Sequence, residues 1–439
     1  MTTIGDEAPH GWTASTLGEI GTYLNGRAFK TSEWGTTGRP IIRIQDLTGS
    51  NRNPNYYDGD ADERHVVRPG DLLISWSATL GAYIWDGPEA VLNQHIFKVI
   101  SKIDQKFHFH LVRSAIQELE RNAHGSGMVH VTKGVFESTP VLLPPAEEQG
   151  RIAARLDEID ARRTSIAGRL AAARTIVDRL RTAVLAAACS GRLTADWRHE
   201  HGGAPSEAPD GPPAAWEPTR LGDIVRIATG ATPLRKNAAY YEGGTIPWIT
   251  SGAVNAGIIS EPTEMITPLA LKETNVKLLP PGTLLIAMYG EGQTRGRVAE
   301  LAIEAGTNQA LAAIVFDERS AAFRPYLRLF FESGYQRMRA ESFGGVQPNL
   351  SLGMFKEAVL PLPPLEEQRE IVERAGVALA TSDRLSASIT SAERSLGDAS
   401  RAALRRVFRG DLGSTEAGPI IAGDEPAREQ AHRTAVAAS

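Results

Sequence analysis

His108 and His110 stand one residue apart, a spacing that could hold a metal ion, because imidazole is a common ligand of zinc and other transition metals. No nearby acidic or cysteine set completes the ligands, so the pair reads as core or surface histidines. Other catalytic signatures are missing from the chain. It has no G-x-x-x-x-G-K-[ST] loop to cradle phosphates, no H-E-x-x-H zinc helix, no G-x-S-x-G nucleophile elbow and no C-x-x-C pair. Cys189 is the only cysteine, so no intramolecular disulfide can form and a reducing cytoplasm is the expected setting. It falls in an alanine-rich stretch and reads as a small packed residue.

The stretch NPNYY at 53–57 differs at its third position from the Asn-Pro-Pro-aromatic signature of amino-methyltransferases, and no glycine-rich cofactor loop follows a strand upstream. A non-catalytic protein is therefore expected. With 439 residues, 42% hydrophobic and 23% charged, the chain is ordinary globular material, long enough for two or three domains. No apolar run approaches the about 18 residues of a membrane span. The opening MTTIGDEAPH is polar and acidic, so no targeting leader is expected either. The net charge is −5, whereas nucleic-acid binders usually carry a basic balance. Any such role must rest on local patches or on a basic partner.

The remaining polar positions recur in pairs along the whole chain. W-x4-LG-[ED]-I occurs at Trp12 to Ile20 and at Trp216 to Ile224, an offset of 204 that Gly26 and Gly230 keep. PIIRI at 40–44 matches PWITS at 247–251 with offset 207, and RPGDLLISW at 68–76 matches PPGTLLIAM at 280–288 with offset 212. NQH at 93–95 matches NQA at 308–310 with offset 215. From Phe136 and Phe355 onward the offset stays at 219, through PPAEEQGRI at 144–152 and PPLEEQREI at 363–371. The chain is two copies of one unit of roughly 200 residues. Length drifts in the front parts, while spacing behind them is constant.

The back parts read as long helices. Each starts at a proline pair, Pro144–Pro145 or Pro363–Pro364, tolerated in a first turn but not in a helix interior. The acidic pairs Glu147–Glu148 and Glu366–Glu367 complement the positive helix start. Steps of alternating four and three residues then trace Ile152, Leu156, Ile159, Arg163, Ile166, Leu170, Ala173, Val177, Leu180, Val184 and Ala187. The second copy yields Ile371, Ala375, Ala378, Ser382, Leu385, Ile389, Ala392, Leu396, Ala399 and Ala403. Both are heptad seams, broken at one shared register, Arg163 and Ser382. Two helices of about 40 residues, roughly 60 Å long, can pair antiparallel along such seams. GRL at 191–193 and GDL at 410–412 fit matched C-terminal stops. The Gly/Pro-rich stretch 201–215 reads as linker, and 413–439 as a disordered tail.

The front parts carry short β-branched runs split by Gly, Pro and Asn, with helices expected near 107–123 and 324–340. The expected class is α/β (mixed): two domains with β-rich mixed sheets, joined by two long helices forming an antiparallel coiled coil, a tandem repeat with pseudo-twofold symmetry. Taken together, the repeat, the PPxEEQ helix starts, RPGDLLISW and LNQHIFKV resemble the specificity subunit of type I restriction–modification systems over residues 12–412. LPPAEEQGRIAARLDEID and LPLPPLEEQREIVERA are similar to the openings of that family's two conserved helical regions. The resemblance implies target-recognition domains at 12–143 and 216–362, helical spacers at 144–198 and 363–412, and a linker at 199–215. Each domain would read half of a bipartite site in double-stranded DNA, with the helices setting the spacer between halves. Two modification (methyltransferase) subunits would dock on the chain, and restriction (ATP-dependent motor/nuclease) subunits would join. No cofactor is expected in this chain; S-adenosylmethionine, ATP and Mg²⁺ would belong to the partners. The second copy departs from the pattern in having NQAL where the first has NQHI.

Base edges are read by Arg, Lys, Asn, Gln or His, and phosphates are gripped by hydroxyls and glycine amides. For the first copy the expected DNA contacts are Arg43, Gln45, Asn93, Gln94, His95 and the loop residues Gly125, Ser126, Gly127, His130 and Lys133. For the second they are Thr250, Ser251, Tyr289, Arg295, Arg297, Asn308, Gln309, Gly344, Gly345, Gln347 and Asn349. Capping, turn formation or a buried hydrogen bond is the competing role at each, and for the two Asn–Gln pairs both readings stay open. Trp12 and Trp216 are expected in the core. A coiled-coil scaffold without sequence-specific DNA binding, and an enzyme with an unrecognised site, remain as alternatives.

Overall fold

The computed structural model describes residues 10–51, 53–77, 79–122, 132–202, 212–289, 294–341 and 350–408. The chain divides into two compact units, residues 1–170 with 392–439, and residues 171–391.

In the first unit, strands Gly21–Asn25, Ile96–Ser101, Leu72–Ser75 and Gly81–Ile84 lie in that order as an antiparallel sheet. A second sheet, ordered Tyr56–Tyr57, Arg39–Ile42, Ala90–Leu92 and Val66–Val67, contains one parallel pair, with Ile42 beside Leu92. Leu72 and Ile74 pack with Tyr23 and Phe97 against Phe107, Leu111 and Val112 of the helix Gln105–Asn122. Leu73 faces the other way, onto Ile42, Val67 and Leu92. The strand is buried on both faces, which is why LLI is a continuous apolar run without alternation.

The second unit repeats this plan. Its larger sheet runs Arg226–Thr229, Leu311–Val315, Leu284–Ala287, Val298–Leu301 and Ile258–Ile259. Its smaller one runs Glu264–Ile266, Ile246–Ile249 and Gly306–Thr307, with Ile249 parallel to Thr307. In each unit the first and last strands of the front part pair antiparallel, Thr13 opposite Leu143 and Glu217 opposite Leu362. Both ends of each domain are thereby clamped beside the proline pair that starts the long helix.

The long helices are Ala146–Cys189 and Leu365–Phe408, 44 residues each. The glutamine of each PPxEEQ folds back on its own helix start. Gln149 Nε2 donates to the Pro144 carbonyl at 3.1 Å, and Gln368 Nε2 to the Pro363 carbonyl at 2.7 Å. The first helix stops at a left-handed glycine, Gly191, φ +78°. In the second unit Arg174 donates to Thr390 at 3.1 Å and Arg181 to Asp383 at 2.7 Å. Seven residues forward on one helix match seven back on the other, the signature of antiparallel packing. In the first unit Leu156 packs on Leu404 and Val407.

The heptad seam needs correcting. Leu156, Val177, Ile371 and Ile389 are buried, and Ile152, Ile159, Leu170 and Leu396 are half-buried. Ile166, Leu180 and Leu385, however, are 38–44% exposed, while Ser382, expected as a break, is interior with its hydroxyl on the Ala378 carbonyl at 3.0 Å. A bare helix pair buries one narrow stripe. Where a sheet domain also abuts the helix, neighbouring positions such as Leu185 and Ala188 are enclosed as well, and Ala375 of the seam is fully buried. After Gly191 the chain makes a turn, Arg192–Thr194, and a short helix, Ala195–Glu200, whose Arg198 is buried.

Both H-x-H imidazoles are buried, each on its own partners. His108 lies between the Tyr23 hydroxyl (2.9 Å) and the Ser101 hydroxyl (2.8 Å), and burial pushes its pKa down to about 4. His110 Nε2 meets Asp157 at 2.8 Å. Among the described residues no three His, Cys, Asp or Glu gather as a metal site, and no helix is long and apolar enough to cross a membrane.

Candidate nucleic-acid interface

The Asn-Gln turn is the hub of each front domain. In the first unit, Asn93 N donates to the Ile42 carbonyl (3.1 Å), Arg27 N to the Leu92 carbonyl (2.8 Å) and Trp76 N to the His95 carbonyl (3.3 Å). In the second, Asn308 N donates to Ile249 (3.1 Å), Ala231 N to Thr307 (2.9 Å) and Met288 N to Ala310 (2.8 Å). Three chain segments therefore converge on the turn through the same three bonds in both copies. Gly26 and Gly230 make this possible: a Cβ at either would overlap the carbonyl oxygens of the turn.

This hub separates the open readings of the Asn–Gln pairs. Asn93 Oδ1 accepts the His95 amide at 3.4 Å, and Asn308 Oδ1 accepts the Ala310 amide at 3.2 Å. The asparagines cap their own turns. Gln94 and Gln309 sit at the exposed tip, Gln309 receiving the Thr232 hydroxyl.

Around the first tip the frame gathers Arg43 and Gln45, immediately after Ile42, together with Gln94 and His95. The second tip gathers Thr250 and Ser251, immediately after Ile249, with Gln309. Tyr289 follows Met288 and is exposed. Arg295 and Arg297 flank Gly296, whose amide donates to Ala287 at 2.8 Å, and the Arg297 guanidinium lies 5.8 Å over Tyr335. Lys133 is engaged elsewhere, its ammonium on the Tyr23 carbonyl at 2.8 Å and near Glu137 at 3.6 Å. Gly125, Ser126, Gly127, His130, Gly344, Gly345, Gln347 and Asn349 lie outside the described residues.

Two arginine–aromatic stacks escaped the sequence reading. Arg27 lies over Phe29 and Tyr57 and pairs with Glu33. Arg235 lies over Tyr241 and Trp248 and pairs with Glu264. A third, Arg43 over exposed Trp34 at 5.3 Å, adds an aromatic shelf to a residue already expected at the interface. Arginines interleaved with aromatics in loops were the available signal.

Comparison with known proteins gives these repeats their kinship. The type I restriction modification DNA specificity domain matches residues 9–173 and 213–376. The EcoBI type I restriction enzyme specificity subunit of Escherichia coli is 27% identical over 420 residues, 91% of this chain and 86% of that protein. A chain solved in work on complex assembly and conformational transition of the type I R-M system is 21% identical, with TM-score 0.70 over 92% of this chain and 99% of that one. The HsdS subunit from Thermoanaerobacter tengcongensis superposes with TM-score 0.51 at 22% identity, over 94% of this chain and 100% of that one. The chain, with two copies of the domain in tandem, belongs to the type I restriction–modification DNA specificity family.

Proposed function

We infer that this chain is the DNA sequence-specificity subunit of a type I restriction–modification complex, each repeat reading one half of a bipartite double-stranded site. The observation that carries this reading is the hub, where identical backbone bonds present different side chains in the two copies. Arg43 stands where the other copy has Thr250, and His95 where it has Ala310. A constant frame with variable tips suits two readers of different half-sites, since base identity is read by side-chain donors and acceptors in the groove. The readers span 12–143 and 216–362, and the spacers 144–198 and 363–412.

The chain itself performs no chemistry in this reading. Two modification subunits carrying S-adenosylmethionine dock on it, and restriction subunits carrying ATP and Mg²⁺ join them in the cytoplasm. Their surfaces supply phosphate contacts that a net charge of −5 leaves short. The test is to map methylated bases in a host carrying this chain and its methyltransferase. Two short specified blocks separated by a constant run of unspecified bases are expected; one contiguous motif would sink the reading. Loss of all sequence preference would favour the scaffold alternative.

A further inference from the structure

Most arginines among the described residues of the first front domain are already spent on protein acceptors. Arg27 bonds the Tyr57 hydroxyl at 3.0 Å and pairs with Glu33. Arg39 donates to the Gly59 carbonyl at 3.0 Å, and Arg68 pairs with Glu63 and Glu89. Arg43 differs. Its backbone amide is capped by Asp46 Oδ2 at 2.8 Å, which holds the residue in place. No hydrogen bond joins its guanidinium to another described residue, and Nε is buried without a partner. The nearest carboxylate oxygen, Asp46 Oδ2, is 3.9 Å from Nε and already accepts the Arg43 amide. The other oxygen, Oδ1, accepts from Asn51 Nδ2 at 2.5 Å.

What fixes the guanidinium is the indole of Trp34 beneath it, 5.3 Å from the ring centroid. Stacking on a ring orients a planar group without consuming its donors. The side chain is 22% exposed, one residue past the Ile42 carbonyl that anchors the Asn93 turn, with exposed Gln45 and Gln94 beside it. A planar set of donors, oriented in advance and unspent, matches an acceptor pair lying in one plane. Among the base pairs only guanine offers that in the major groove, through O6 and N7.

We propose that Arg43 determines specificity for one guanine in the half-site read by the first copy, donating two parallel hydrogen bonds to O6 and N7. This rests on the DNA-specificity reading above. Thr250 holds the matching place in the second copy, so the second half-site takes no such arginine-to-guanine contact there.

The experiment compares methylated motifs in hosts carrying the methyltransferase with the natural chain, with Arg43→Gln and with Arg43→Thr. The natural chain comes first: a motif that is not bipartite defeats the parent reading, whereas a bipartite motif lacking guanine in one half defeats this proposal alone. Arg43→Gln should shift a single guanine position in one half toward adenine, which glutamine pairs bidentately. Methylation of the original motif should fall by roughly tenfold or more, with the other half unchanged. Arg43→Thr installs the residue that the same frame already carries in the second copy, and should relax that one position to any base. An unaltered motif with uniformly weaker methylation and a shallower salt dependence would mean that the guanidinium grips a phosphate, overturning the assignment. So would unaltered motif and strength in both variants.

Discussion

At one matched place the two copies fasten their front domain to the long helix with different chemistry. In the first unit the helix Gln105–Asn122 meets the long helix with polar groups beside its apolar contacts. Lys106 pairs with Asp157 at 2.8 Å, the His110 imidazole, held neutral by burial, hydrogen-bonds Asp157 at 2.8 Å, and Arg113 pairs with Asp160. The helices Gln105–Asn122 and Arg324–Glu341 already align at an offset of 219, so His110 and Asp160 become Leu329 and Leu379, each 8% exposed in one apolar core. The interior follows suit. The Tyr23–His108 hydrogen bond of the first copy corresponds to Ile227 and Leu327, offsets 204 and 219, in the core of the second. At the helix starts the contrast reverses. Glu367 is buried beneath Arg198, Thr194 (2.7 Å) and Trp216 Nε1 (2.9 Å), whereas Glu148 at the matching place is half-buried. The shared requirement is filled volume where helix meets sheet. Whether that volume is polar is free to differ, and with it the response to pH and salt.

The contrast is most exposed to failure at Glu367. Glu367→Ala leaves Arg198 buried without its counter-charge and should cost about 3–5 kcal/mol, read as a lower urea midpoint of the second unit. Glu148→Ala should change little, within about 0.5 kcal/mol. Equal losses would erase the difference between the helix starts. Next, Leu329→Ala should cost about 3 kcal/mol through its cavity, equally at low and high salt.

A pH series separates the copies further. His108 is held neutral, its folded pKa of about 4 lying below the ordinary 6.5. Between those values the unfolded chain binds more protons, so stability is full above pH 6.5 and drains as pH falls toward 4. The expected loss is about 3 kcal/mol. Tyr23→Ile with His108→Leu, the second copy's residues, should flatten that slope. An unchanged slope would place the acid sensitivity elsewhere. A smaller loss than that of His108 protonation belongs to Arg113→Ala, about 1 kcal/mol at low salt and shrinking at high salt as the Asp160 pair is screened. A salt-independent loss there would assign Arg113 a packing role.

Much of the plan was legible beforehand because its signals are local. Proline pairs with acidic partners mark the long-helix starts, Gly191 marks a stop, and the drifting offsets already separated loop-rich fronts from helices of constant length. The short β-branched runs marked strands, though not that LLI would be buried on both faces. Other features lay beyond reach. Heptad spacing placed Ile166, Leu180 and Leu385 on a closed seam, yet a two-helix contact covers too narrow a stripe to bury them. The Asn-Gln elements could not be divided between turn and ligand from residue type, because both roles use the same carboxamide.

By itself, then, the sequence determined the tandem repeat, the helix starts and the kinship of the chain, since each depends on neighbours within a few positions or on a comparison of the chain with itself. Tertiary structure decided which polar groups are spent. Arg27 and Arg43 look alike in sequence, but Glu33 and Tyr57 occupy the first, while Trp34 orients the second and leaves its donors open. Availability of a guanidinium is set by what the fold brings within about 3 Å of it, and that distance is not written in residue order.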